Sequence, residues 1–191
     1  HNGTHIDAPW HYGPVSGGKP SATIDEMPLE YCFGDGVVLR FTHKKAGEKI
    51  DVEDIQRELA RMNYTLKPLD IVYVNTGWDK KWGTPDYFYD KPGLTRDATL
   101  WLIDQGIKLM GTDSSGWDRT FKEQAKDFQR TGDRHYLWEG HFAGIEKPYY
   151  QIEKLANLDL LPDFGFKTCC IHIKNEKAGA AWARPVAFLN D

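Results

Sequence analysis

His1-Asn2-Gly3-Thr4-His5-Ile6-Asp7-Ala8-Pro9-Trp10-His11 opens the chain, with three histidines and one aspartate, all at odd positions. Alternate side chains of an extended strand share a face. His1, His5 and Asp7 are therefore expected to point one way, with Gly3 leaving room between them. Two imidazoles and a carboxylate converging from one backbone form a donor set for a divalent metal. Three ligands from one segment leave coordination positions open, which is the pattern of a catalytic site rather than a structural one. A bound divalent ion lowers the pKa of water to about 7 and polarises a carbonyl. Pro9 bends the path before His11. A histidine beside the metal but not bound to it is a natural proton carrier, because its pKa lies near neutrality. His11 is that candidate; its alternative is to orient a loop or ligand. The plain alternative for the whole cluster is a polar structural strand.

At 191 residues, 40% hydrophobic and 27% charged, the chain fits one soluble domain over residues 1–191. A net charge of −4, spread without long runs, lacks the basic stripe of a nucleic-acid binder. No apolar run approaches the roughly 18 residues of a membrane span, so neither nucleic acid nor membrane is an expected partner. Cys32, Cys169 and Cys170 are odd in number, and neighbours in a strand face opposite ways. They read as buried thiols, and a cytoplasmic location is expected. The chain starts inside its most informative motif and not at Met, so an upstream segment is expected.

Residues 12–30 read as a Gly/Pro/Ser-rich surface loop. Gly36–Phe41 reads as a strand. A helix follows behind Asp51 as N-cap, with Val52, Ile55, Leu59 and Met62 on one face. Ile71–Val74 is a buried strand and 77–93 a loop. Thr95 caps a helix with Ala98, Leu102 and Ile103 as its stripe, stopping near Gly106. Ile107–Gly111 is a short strand, 112–148 has poor periodicity, and strands around Thr168–Lys174 and Arg184–Leu189 close the chain. Strands separated by helices imply an α/β or mixed domain.

Downstream, Glu139, His141, Glu146 and Glu153 are each able to complete a metal site. His43, His135 and His172 are weaker: His43 precedes two lysines, and His172 reads as a core histidine in an apolar strand. Most tryptophans read as core. Trp10, between Pro9 and His11, is the one expected to line a substrate pocket. Asp113-Ser114-Ser115-Gly116 reads as a pocket turn. No serine-hydrolase elbow, P-loop or dinucleotide fingerprint is present.

The opening eleven residues resemble the H-x-G-T-H-x-D-x-P-x-H signature of the cyclase-like metal-dependent hydrolases, the family of bacterial kynurenine formamidase, isatin hydrolase and a trans-dienelactone hydrolase. Asp70–Trp78, Gly106–Asp113, Trp138–His141 and Ile152–Leu158 resemble later family segments in the same order. The resemblance implies a compact swivelling β/β/α domain with a mixed sheet and flanking helices, usually oligomeric as a homodimer or larger, with several tens of residues before the signature. It implies His1, His5 and Asp7 as ligands, His141 and Glu153 completing the set, and His11 as acid/base. It also implies zinc or manganese, one or two ions per chain. Isatin hydrolase works with one manganese and has Gln where Glu153 stands; the extra charge here favours zinc or a second ion. Ala180-Ala181-Trp182-Ala183-Arg184 departs from the formamidase G-S-P-x-R run, and a bulky Trp182 is expected to reshape the pocket. The implied function is hydrolysis of a small amide C–N bond, in an aryl formamide or cyclic amide. The alternatives are a lactone or cyclic-ester hydrolase, and a metal-binding or ligand-binding module without turnover.

Overall fold

The computed structural model describes residues 1–189, so the last two residues of the expected 1–191 span lie outside it. Its centre is built from apolar runs. β4 (Phe33–Arg40), β6 (Ile71–Asn75), β8 (Leu109–Thr112) and β9 (Tyr150–Glu153) lie side by side and parallel. Val37, Leu39, Val72, Val74 and Met110 face one side; Val38, Ile71, Tyr73 and Leu109 face the other. Strands buried on both faces read as continuous hydrophobic runs, which is why Ile71–Val74 was legible as a buried strand.

Four antiparallel strands extend this centre. β1 (His5–Asp7) pairs with β9 on one side and β11 (Ala180–Trp182) on the other, while β10 (Phe166–Cys169) pairs with β4 and β12 (Val186–Phe188). The eight-stranded order is β11-β1-β9-β8-β6-β4-β10-β12. Two small ribbons lie outside it: β2 (Val15–Ser16) with β3 (Lys19–Pro20), and β5 (Lys49–Ile50) with β7 (Gly93–Leu94). The α/β reading with a mixed sheet and flanking helices holds.

α2 (Val52–Met62) starts where expected. The Asp51 carboxylate accepts from Asp54 N at 3.0 Å, and Asp54 returns the bond to Asp51 N at 3.1 Å. Such reciprocal caps satisfy two donors that the first turn leaves free. α4 (Arg96–Asp104) is capped by Thr95, whose hydroxyl accepts from Ala98 N. Both helices pack on one sheet face.

Other expectations need correction. Residues 12–30 hold the β2–β3 ribbon and 3-10 turns, with Ile24 and Met27 buried rather than on a surface loop. Residues 77–93 include the short helix α3 (Asp86–Tyr89) and part of β7. The segment 112–148 contains two helices, α5 (Phe121–Thr131) and α6 (Glu139–Glu146). α5 buries Gln124 where an apolar stripe would announce it, and α6 carries Gly140 and Gly144 in its buried face. A Cβ on Gly140 would lie 2.2 Å from Trp117 Cδ1, and one on Gly144 2.2 Å from Tyr12 Cδ2. Missing side chains let the helix approach two rings, and the same absence hides its periodicity. The expected strand Thr168–Lys174 ends at Cys169. Beyond it, Ile171 and Ile173 are exposed, and His172 makes an isolated bridge to Ala183 instead of sitting in a core.

A candidate metal centre beside an aromatic cavity

β1 carries His5 and Asp7 on its helix side and Ile6 on the opposite side, in the second core cluster. His1 lies before the strand, so it does not reach the site by strand alternation. Gly3, at φ +74°, reverses the backbone and returns the His1 ring to within 2.9 Å of Asp7 Oδ1 through Nδ1. That conformation is open to glycine at little cost. His5 faces Glu153 across the β1–β9 ladder. His5 Nδ1 lies 2.8 Å from Gly3 O, an acceptor only, so Nδ1 carries the proton and Nε2 is the free ligand atom in the neutral ring. Nε2 stands 3.4 Å from Asp7 Oδ1, 3.7 Å from Glu153 Oε2 and 3.0 Å from His1 Nδ1.

α6 delivers His141, whose Nε2 lies 3.8 Å from Glu153 Oε1. Its Nδ1 is bonded to Asp118 Oδ2, and Asp118 Oδ1 also accepts from Gly140 N at the start of α6. Burial disfavours the charged His141 ring, but the Asp118 carboxylate outweighs it and holds the pKa above the ordinary value. Glu153 is held in turn: Gln151 Nε2 donates to Glu153 Oε1 at 2.7 Å, and Tyr149 OH donates to Gln151 Oε1 at 2.8 Å. Lys154 Nζ stands 3.1 Å from Glu153 Oε2. His11, in the short helix α1 (Pro9–Tyr12), places its ring centroid 4.2 Å from that of His1 and 5.5 Å from that of His141. Burial pushes its pKa down, so the neutral ring is favoured.

Asp7 tests whether a cation fits. It is 0% exposed; Oδ1 faces His1 Nδ1 at 2.9 Å and His5 Nε2 at 3.4 Å, and Oδ2 has no hydrogen-bond partner among the described residues. Burial works to raise its pKa, yet the neighbouring His1 and His5 rings outweigh it and leave the carboxyl well below the usual range. An ionised, fully buried carboxylate with one oxygen left unpartnered is costly by itself, and with imidazole nitrogens facing the other it is well matched to a divalent ion. Ligand atoms of His5, Asp7 and Glu153 lie within 4.8 Å of one another, as do those of His1, Asp7 and His11. His11 is thus in reach of either role, proton carrier or ligand.

The six residues His1, His5, Asp7, His11, His141 and Glu153 are therefore brought together. The other downstream candidates are not: Glu139 pairs with Arg119 in the interior, and Glu146 with Arg96 at the surface. Trp10 is 46% exposed and stands outside the cavity of about 470 Å³ that opens beside His1, His11 and His141. Its aromatic wall comes instead from Phe88, Phe121 and Trp138. Trp182 is 61% exposed on β11, opposite His5, with its indole N–H donating to Asn2 O at 2.7 Å. It covers the outer side of the His1 loop, beside a second cavity of about 240 Å³. Ser115 and Gly116 line the larger cavity as the turn reading expected, whereas Asp113 is buried behind it and latches Thr76 N and Gly77 N. Sequence reasoning missed Asp118, Gln151 and Lys91. Asp118 follows the noted turn by two residues and was the one with a visible signal.

Residues 1–119 match the family model Cyclase, described as "Putative cyclase", and the chain belongs to that family. Solved structures agree on the fold. An isatin hydrolase bound to the product analogue thioisatinate is 22% identical, with a TM-score of 0.83 over 99% of this chain and 72% of that one. Isatin hydrolase A from Labrenzia aggregata, bound to benzyl benzoate, is 28% identical, with a TM-score of 0.76 over 97% of this chain and 72% of its own. A structure described as a potential metal-dependent hydrolase with cyclase activity is 25% identical, with a TM-score of 0.64 over 97% and 77%.

Proposed function

We propose that this chain is a metal-dependent hydrolase that cleaves a small amide C–N bond, in an aryl formamide or a cyclic amide. The observation that carries the reading is Asp7, a fully buried, ionised carboxylate whose Oδ1 faces the His1 and His5 ring nitrogens and whose Oδ2 has no hydrogen-bond partner among the described residues. His1, His5, Asp7, His141 and Glu153 would hold one or two divalent ions, zinc or manganese. A divalent ion so held supplies a Lewis acid for the carbonyl and lowers the pKa of water. The protein's own work lies around it. Asp118 and the Gly3 carbonyl fix the rings of His141 and His5, and Gln151 fixes Glu153. Phe88, Phe121 and Trp138 offer an apolar wall to an aromatic substrate. His11, favoured neutral and close to His1 and His141, takes a proton from the attacking water and passes it to the departing nitrogen. The related structures support an aromatic substrate: one is an isatin hydrolase bound to a product analogue, and another holds benzyl benzoate.

The test combines metal analysis with a substrate panel. Protein purified without chelators is expected to carry one or two ions and to hydrolyse aryl formamides or cyclic amides. His11→Asn is expected to lower turnover by about 10²–10⁴ with metal content unchanged. Turnover of lactones alone would remove the C–N assignment, and a metal-free protein inert across the panel would leave a binding role.

A further inference from the structure

Lys91 is a buried ammonium group that the site described above leaves unused. The residue is 7% exposed and lines the cavity. Nζ donates to Gly116 O at 2.8 Å and to Asp118 O. An ammonium has three N–H donors, and the third has no partner among the described residues. No carboxylate lies within ion-pair distance of it there, whereas Lys154 is paired with Glu153. Lysine is almost never fully buried unpaired; burial pulls the Lys91 pKa down to about 8, against the opposing pull of the Asp118 and Glu153 carboxylates, which lie beyond ion-pair distance. Gly116 keeps the space in front of it open. A Cβ there would lie 3.5 Å from Lys91 Nζ and 3.4 Å from Glu153 Oε1, so that a larger side chain would stand between the amine and the candidate metal ligands.

We propose that Lys91 is the anion-binding residue of this cavity, receiving the carboxylate of an aromatic acid whose ring lies against Phe88, Phe121 and Trp138. The inference rests on the hydrolase reading for its source of anion. Water cleaves the C–N bond of a cyclic amide: one water proton goes to the nitrogen, which is freed as an amine, the second goes to solvent, and the acyl carbon stays on the same aromatic product as a carboxylate, whereas an aryl formamide would release its carboxylate as formate. Each turnover therefore creates a negative charge beside the candidate ligands. Lys91 supplies the missing counter-charge, and the empty third donor position is where a carboxylate oxygen sits. A lysine that merely tied down the 116–118 turn would need its two carbonyl bonds and nothing more.

Benzoate and its neutral isostere benzamide separate these roles without requiring turnover. Binding is measured calorimetrically to the metal-loaded protein and to Lys91→Met. The expected result is a loss of about tenfold or more in benzoate affinity, with benzamide affinity and metal content unchanged; Lys91→Arg is expected to keep most of the benzoate affinity. Equal losses for both probes, or unchanged benzoate binding, would overturn the proposal. Should Lys91→Met fail to fold, the Lys91 ammonium resonance of the wild-type protein is followed by NMR. It is expected to shift with benzoate and not with benzamide, and indifference to benzoate would again overturn the assignment. Lys91-dependent benzoate binding in a protein inert to every amide and ester would sink the hydrolase reading alone. An active hydrolase with benzoate affinity independent of Lys91 would sink this inference alone.

Discussion

His141 presents Nε2 to Glu153 because Asp118 holds the other ring nitrogen. A carboxylate behind a metal-binding histidine fixes both the tautomer and the ring direction, and its loss typically costs 10–100-fold in metal affinity. Asp118→Ala is expected to weaken metal binding by about that factor in a competitive chelator titration. Asp118→Asn should cost less, since its amide oxygen still accepts from Nδ1. Equal affinity for wild type and Asp118→Ala would detach His141 from the metal. The contrast between Asp118 and His141 shows what was legible. His141 stands out by residue type and family spacing. Asp118 looks like one acid among many until the fold carries it to a ring twenty-three positions away. Gln151 is more hidden still, because a neutral amide in a strand announces no chemistry. Its role comes from Tyr149 and Glu153 on either side of it.

Among the elements, β7 is packed directly against backbone that carries a site residue. A Cβ on Gly93 would lie 2.2 Å from Arg119 N and from Asp118 C, both backbone atoms. A Cβ on Gly36 of β4 would meet the Phe166 ring at 2.1 Å. A ring can turn, and a backbone carrying a site residue cannot move without moving the site. Gly93→Ala and Gly36→Ala are both expected to cost about 1–3 kcal/mol of stability by overpacking, read from denaturant midpoints. Gly93→Ala should also weaken metal binding through Asp118, and Gly36→Ala should not. Loss of metal affinity in both variants would show that the effect is general loosening. Elements with a strong period or a strong cap, such as β6, α2 and α4, were readable from the sequence because one local force decides them. α5 and α6 were not, since Gln124 ties the backbone at Arg119 to that at Trp138, and Gly140 and Gly144 admit the Trp117 and Tyr12 rings from elsewhere in the chain.

At the scale of the whole molecule, the sheet places its first strand between two strands from the late part of the chain. β1 lies between β9 and β11, and helices cover the face on which His5 and Asp7 sit. No helix among the described residues is long and apolar enough to cross a membrane. If Asp7 is a ligand, metal removal leaves its buried charge to the His1 and His5 rings alone and forfeits the binding free energy. An ion present at a hundred times its dissociation constant adds about 2.7 kcal/mol, and each kcal/mol moves Tm by about 2–4 °C in a chain of this size. Chelation is expected to lower Tm by about 5–10 °C in a calorimetric scan. An unchanged Tm would mean that no ion sits at Asp7.

The pairing of β1 with β9 also sets an order of events in time. His5 meets Glu153, and His1 and Asp7 join them, only when a loop of most of the chain has closed. Contacts of such sequence separation form late, because their entropy cost comes before their reward. The donor set is thus a product of folding and cannot guide it. An ion captured there slows unfolding while leaving the forward rate unchanged, so that it acts as a latch set after the door has shut.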